Sequence, residues 1–448
     1  GESCLQRFNG MFAFAIWDSK EKKLFAARDR FGVKPFYYAL DGETLYFSSE
    51  IKALRVVLER DRPDKKVWAT YFCYGSYGAP HETFYENVHQ LPGGSMLEFI
   101  SGRPRIKSWY DFIGRVKNIR SDHSFGEAKK IYLDLLKDSI LLRFRADVPI
   151  GFNISGGLDS SLLLALVHEL KGPENIKAYT FYTGDERYDE LPWVEQMIAH
   201  TGNPLSSVRL TSEEIPALAR DISAVQDEPF GGFPTLAYSK IFAQAHKDGV
   251  KVLLDGQGMD EQWAGYDYYL SLSEGGKTFY GANIQGAGKM NPFRKNVLAP
   301  EFAAHAQKPE YPSPFDNELQ NLQYRDLFYT KIPRALRFND RISMAYSTEL
   351  REPFLDYRLV EFAFAQPEIF KIKDGIQKFL LRNLVKDLLP ATISHAPKRP
   401  LQTPQREWLA RELKGFVSSS LQSLKATKAG EWFDFNELEK EWKMYQAG

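Results

Sequence analysis

The 448 residues predict an α/β protein in two parts. Residues 1–115 form a β-rich α+β part, and 116–448 a doubly wound parallel sheet with a helical C-terminal part. Three observations carry this. Short apolar runs of period two, separated by turn residues, fill Leu5 to Trp109. Strand-like and helix-like segments alternate from Ala128 to Leu254, the pattern of parallel strands joined by crossover helices. From Asn317 onward the apolar spacing is helical.

In the first part, Met11 to Trp17 alternates small and bulky residues. Lys23 to Arg28 and Pro35 to Leu40 are further strands. Asp41-Gly42 is a hairpin signal before Thr44 to Phe47. Ile51 to Leu54 opens a helix. Leu91-Pro92-Gly93-Gly94 makes a turn, and Met96 to Ile100 pairs with Arg105 to Trp109 about Ser101-Gly102. A mixed-charge stretch with Gly114, about Asp111 to Phe125, reads as a linker.

In the second part, helix-period residues run from Ala128 to Phe144. A buried strand leads to Ile154, and a helix that is apolar nearly all round follows through Leu162 to Val167. Ile176 to Tyr182, Leu205 to Leu210 and Lys251 to Leu254 are strands. Leu191 to His200 and Phe233 to Lys247 are helices, and Thr211-Ser212-Glu213-Glu214 fits a capping box for a helix between them. Gly275 to Pro314 reads as a long surface excursion. Helices are expected over Leu319 to Phe328, Ile332 to Asn339, Arg358 to Ala365 and Ile376 to Leu388. There is no internal repeat.

Lys+Arg and Asp+Glu are equal at 58 each, so overall charge points to neither nucleic acid nor an anionic membrane. Cys4 and Cys73 are the only cysteines, which fits a reducing, cytoplasmic setting and forms no zinc motif. The eight histidines show no close metal-ligand pairing. No apolar stretch approaches the ~18 residues of a membrane span, and no signal peptide is visible. The chain enters Phe8 to Asp18 as if in mid-domain, so an N-terminal truncation is expected; an intact mass showing Gly1 as the native start would contradict it.

The chemistry-bearing stretch is Ser155-Gly156-Gly157-Leu158-Asp159-Ser160-Ser161, a tight turn between strand and helix. A helix N-terminus offers free N–H groups and the positive end of its dipole to an anion. Gly156 and Gly157 permit close backbone approach, and Asp159 is placed to hold Mg2+ already bound to phosphates. It is not a Walker A loop. The nearest match, Gly276-Lys277-Thr278, has Ser271 where the leading glycine belongs. A second strand-to-helix turn, Asp255-Gly256-Gln257-Gly258-Met259-Asp260-Glu261, sets three carboxylates within seven positions, for which Mg2+ is the ordinary remedy. A solvated acidic turn looks the same in isolation. The charged segment Asn339 to Asp356 reads largely as a helix and turn with internal salt bridges. Lys378 opens Lys-Phe-Leu-Leu-Arg382 within an apolar helix, where a lysine either snorkels to solvent or points into a site.

The Ser155 turn resembles the pyrophosphate loop of N-type ATP pyrophosphatases. Taken in order with Asp255 to Glu261, Asp340 to Asp356 and Lys378-x-x-x-Arg382, it resembles the synthetase domain of glutamine-hydrolysing asparagine synthetases. Arg7 to Ala15, Ala27 to Pro35, Ser48 to Leu54 and Leu91 to Gly94 resemble the second half of a class II glutamine amidotransferase domain. That family's nucleophile is an N-terminal cysteine. Cys4 stands in the wrong context, so the chain as given is not expected to hydrolyse glutamine.

The resemblance implies that ATP converts a carboxylate to an acyl-adenylate, and that ammonia then expels AMP. Ammonia would reach the site through a tunnel from the glutaminase half. Ser155, Gly156, Gly157, Asp159 and Ser160 would hold pyrophosphate, with Gly256 and Gly258 in the second turn. Asp159 and Asp260 would bind Mg2+. Ile154, Thr180 and Phe181 would flank adenine and ribose, and Lys378 would offset charge at the α-phosphate. Small-molecule substrates are implied: ATP, aspartate or another carboxylate, and glutamine or ammonia. A homodimer is one assembly open to it, and the sequence does not decide the oligomeric state. One departure matters. The best-known asparagine synthetases carry glutamate at Gln257, where it is thought to help the ammonia step, and glutamine cannot act as a base. Either another residue takes the proton, or the acceptor is a different carboxylate such as a uronic acid of surface polysaccharide. A degenerate nucleotide-binding module is the remaining reading.

Overall fold

The structure is a computed structural model, and it describes residues 2–58, 62–172, 176–273, 293–396 and 402–447. Gly276-Lys277-Thr278 and much of the expected excursion fall outside them.

The first part is two antiparallel sheets. One runs β1 (Ala13–Asp18), β2 (Lys23–Arg28), β6 (Ser95–Ile100), β7 (Arg103–Ser108); the other pairs β4 (Thr44–Ser48), β3 (Tyr37–Asp41) and β5 (His89–Gln90). A helix at Lys65–Tyr74 stands where a β-rich reading expected none. It is capped by Asp64, whose side chain accepts from Val67 N–H, and closed by Gly75 in the left-handed region. The expected linker also contains a helix, Phe112–Lys117, whose Phe112 and Val116 are buried.

The second part is a five-stranded parallel sheet in the order β10 (Leu205–Arg209), β9 (Lys177–Tyr182), β8 (Ile150–Asn153), β11 (Val252–Leu254), β12 (Glu349–Arg351). The strand β12 was not expected from the sequence. Side chains alternate between the two faces. Phe152, Ala178 and Leu254 join one core with the helices Phe125–Arg143 and Leu158–Lys171. Tyr179, Leu253 and Leu350 join the other with Ile215–Gln226 and Phe233–Lys247. Each buried leucine contributes about 1.5–3 kcal/mol, and helices on both faces explain why the strands read as continuous apolar runs. Chain order reverses between β8 and β11, and ligands of such sheets bind at that switch point, beyond the carboxyl ends.

Besides β12, the C-terminal part departs from its helical expectation after Lys371. Ile372–Lys373 and Ile376–Gln377 form a small hairpin, and the helix begins only at Phe379.

The two parts share a core. Ala27, Phe31 and Met96 pack with Leu336, Leu355 and Val360. Polar contacts seal it. Asp356 accepts from Asn9 Nδ2 at 2.9 Å and from Arg143 Nη1 at 2.8 Å, and Lys34 Nζ reaches Asp340 Oδ1 at 2.9 Å. Asp29, buried in the first part, accepts backbone N–H bonds from Val33 and Lys34, both at 2.9 Å. The segments Arg7 to Ala15 and Ala27 to Pro35 thus build the turn and junction. Among the described residues, no helix is long and apolar enough to cross a membrane.

Candidate active site

A cleft of about 600 Å³ opens at the switch point of the parallel sheet. The turn after β8 forms one wall. Gly157 is the N-cap of helix Leu158–Lys171 and offers no side-chain hydrogen bond, so the first N–H groups of the helix face outward unsatisfied by a cap. Ser155 N–H donates to Ser160 Oγ at 3.2 Å, and Ser160 Oγ donates to Gly157 O at 3.2 Å, which folds the turn onto the helix. Gly156 has φ +66°, and a Cβ there would lie 2.9 Å from Trp193 Cβ. Only glycine meets both conditions.

The turn after β11 forms the second wall. It approaches the first so closely that a Cβ on Gly256 would lie 3.3 Å from Ser160 N. The short helix Met259–Gln262 then presents Asp260 to the cleft.

Lys378 joins the two. Its Nζ lies 2.7 and 2.6 Å from Asp159 Oδ1 and Oδ2, and 2.6 Å from Asp260 Oδ1. It is not inside a helix, as the sequence suggested. It is the N-cap residue, with φ +53°, directly after the hairpin. That left-handed turn aims the side chain back into the sheet's end, and Lys378 N–H donates to Trp263 O at 3.2 Å. Burial works against its charge, but Asp159 and Asp260 more than offset this and raise its pKa.

Ser155, Gly156, Gly157, Asp159, Ser160, Gly256, Gln257, Asp260 and Lys378 therefore line one cleft. Three expected residues stand elsewhere. Ile154, Thr180 and Phe181 are nearly fully buried and line a separate hollow of about 10 Å³, which shares Ser155, Glu190 and Tyr238 with the cleft. Gly258 lines neither. Its φ of +106° makes the turn, and Leu355 Cδ2 fills the space beside it.

Lys331 and Arg334, which no sequence motif singled out, also line the cleft. Both lie on the helix Lys331–Ala345, and their three-residue spacing on one face was the available signal. Burial, with Arg334 as the next cause, lowers the Lys331 pKa to about 8. Glu261, also in the cleft, is pushed up to about 7 by burial and then by Asp260. Tyr77 shows that the first part contributes to the same cleft. Among the described residues, no group of three or more His, Cys, Asp or Glu side chains gathers as a metal site. Asp159 and Asp260 do converge on a single cation, and two carboxylates completed by phosphate oxygens suit Mg2+.

The asparagine synthase family model matches residues 132–448, and the glutamine amidotransferase domain model matches residues 1–110. The chain belongs to the asparagine synthase family. It is 28% identical over 423 residues to asparagine synthetase [glutamine-hydrolyzing] 3 of Bacillus subtilis, covering 89% of this chain and 68% of that one. It is 35% identical over 279 residues to a putative asparagine synthetase [glutamine-hydrolyzing] 2 of Methanocaldococcus jannaschii, covering 60% and 52%. Asparagine synthetase [glutamine-hydrolyzing] 1 of Bacillus subtilis is 26% identical, covering 94% of this chain and 72% of that one. The protein is thus an asparagine synthetase-like member of the family, with an amidotransferase-type first part.

Proposed function

We propose that this protein is an ATP-dependent amide-forming ligase that makes asparagine from aspartate, with ammonia supplied by glutamine in the whole protein. The observation that carries this is the placement of Lys378 between Asp159 and Asp260, at the uncapped start of helix Leu158–Lys171.

A carboxylate resists ammonia because it is an anion with a poor leaving group. Transfer to the α-phosphate of ATP activates it and releases pyrophosphate. The N–H groups after Gly157, with the hydroxyls of Ser155 and Ser160, bind the pyrophosphate end. Lys378 offsets negative charge at the α-phosphate and the adduct. Asp159 and Asp260 would hold Mg2+, which neutralises phosphate charge. Lys331 and Arg334 line the same cleft and suit an acceptor that keeps one carboxylate free while the other is activated. Ile154, Thr180 and Phe181 flank the nucleoside only if their hollow opens on binding. Cys4 and Cys73 are both free thiols, in keeping with a cytoplasmic setting.

Gln257 favours a second reading, in which a sugar acid replaces aspartate. The test is AMP and pyrophosphate release from MgATP with ammonium chloride, using aspartate in one set and uronic acids in another. Asparagine formation with aspartate supports the first reading. Release with a uronic acid alone replaces the acceptor, and release with none contradicts the ligase.

A further inference from the structure

Two carboxylates stand side by side at the ends of neighbouring strands, and the scheme above uses neither. Leu254 of β11 pairs with Arg351 of β12, and Asp255 N–H donates to Arg351 O at 2.9 Å. The next residue along each strand, Asp255 and Glu352, therefore sits beside the other across the strand spacing of about 4.8 Å. Both are buried, 5% and 2% exposed. Asp255 Oδ1 accepts from Gly256 N–H at 2.7 Å, but Asp255 Oδ2 and both Glu352 oxygens lack a well-formed hydrogen bond; the Gln257 and Asn153 side chains beside Asp255, and the Gln257 backbone beside Glu352, compensate only in part. Buried carboxylate oxygens without partners are costly, and proteins keep them where they are used.

The two residues face different spaces. Asp255 lines the cleft beside Gln257. Glu352 lines a small hollow at the junction of the two parts, with Asn9, Asp29 and Arg30 opposite. The pair thus forms the partition between that junction and the cleft. Two adjacent buried carboxylates do not both ionise readily. Burial, and then the charge of Asp255, hold Glu352 well above the usual carboxylate range, with the Gln257 backbone and Lys34 offsetting this in part. Burial raises Asp255 to about 6. The two carboxyls therefore titrate together as a pair that resists carrying two charges, and Asp255 is the member on the cleft side.

We propose that Asp255 is the proton acceptor of the ammonia step, filling the role that the Gln257 amide cannot. The assignment rests on the ligase reading. The ammonia nitrogen forms a C–N bond to the acyl carbon. The C–O bond to the AMP phosphate breaks, and its electron pair leaves with AMP. One N–H proton passes to the Asp255 carboxylate, leaving the neutral amide. Asp255 lies in the same turn as Gln257, two residues before it, and both line the cleft.

The two half-reactions separate this from the reading beneath it. Carboxylate-dependent exchange of pyrophosphate into ATP reports activation alone, and amide formation with ammonium chloride reports both steps. Asp255→Asn is expected to slow amide formation by ~100-fold or more, the usual scale for a lost general base, while exchange persists within a few-fold. Retained exchange also shows that the variant is folded. Equal rates of amide formation in variant and wild type would overturn the assignment, as would parallel loss of both half-reactions. A wild-type protein that exchanges no pyrophosphate with any carboxylate contradicts the ligase reading instead.

Discussion

The ammonium of Lys378 lies 2.6 Å from Asp159 Oδ2, across 219 residues of sequence. Asp260 holds the same ammonium at 2.6 Å, so one cation gathers the three motifs. Lys378→Met leaves two largely buried carboxylates facing each other. Breaking such a pair costs about 3–5 kcal/mol. The variant is expected to melt lower than wild type, to regain more of its stability on adding MgCl2 than wild type does, and to lose pyrophosphate exchange. Melting curves with and without MgCl2 check the first two points.

Gly265 packs against this ion pair. A Cβ at Gly265 would overlap Asp260 Oδ1 and Lys378 Cε. Gly265→Ala is expected to reduce exchange by ~100-fold or more, since a 1 Å misplacement can cost that much. Its melting temperature should fall less than that of Lys378→Met. Activity near wild type would show that the pair shifts freely.

The Ser155 turn gives a separate prediction. Gly156→Ala forces a side chain into the left-handed region and against Trp193, at about 1–3 kcal/mol of backbone strain. We expect the KM for ATP to rise at least ~10-fold, because the displaced turn carries the phosphate-facing N–H groups. Steady-state kinetics with varied ATP measures this.

Acid stability follows from Asp356. Burial raises its pKa, but Arg358, Arg143 and Asn9 outweigh it and hold the carboxyl at about 2. A carboxylate depressed on folding contributes stability that is complete above its ordinary pKa. That contribution is lost as pH falls from about 4 through 2. It amounts to about 2 kcal/mol at neutral pH. Asp356→Asn should lower stability at pH 7 and flatten its decline over that range, as read by urea titration at several pH values.

The site was legible where local pattern and tertiary role agree. The strand, glycine turn and apolar helix around Ser155 are all local signals, and so is Asp260 after a strand. What was missed depends on distant partners. The strand Glu349–Arg351 is three residues long with only Leu350 buried, and its pairing with Val252–Leu254 decides it. The Lys65–Tyr74 helix is rich in aromatic and β-branched residues and resembles a strand in composition, although Asp64 and Gly75 mark its ends. Asp374-Gly375 is a hairpin signal that a helical reading of Ile376 to Leu388 passed over, and it is what turns Lys378 into the cleft. Glu352 carries no local signal at all; its significance arises only when β12 is set beside β11.

The most direct test of the central claim is carboxylate-dependent exchange of labelled pyrophosphate into ATP, in wild type and in Asp159→Asn. The account predicts exchange with aspartate in wild type and loss of it in the variant, with the melting curve still cooperative. Wild-type levels of exchange in Asp159→Asn, or none in wild type with any carboxylate, would contradict it.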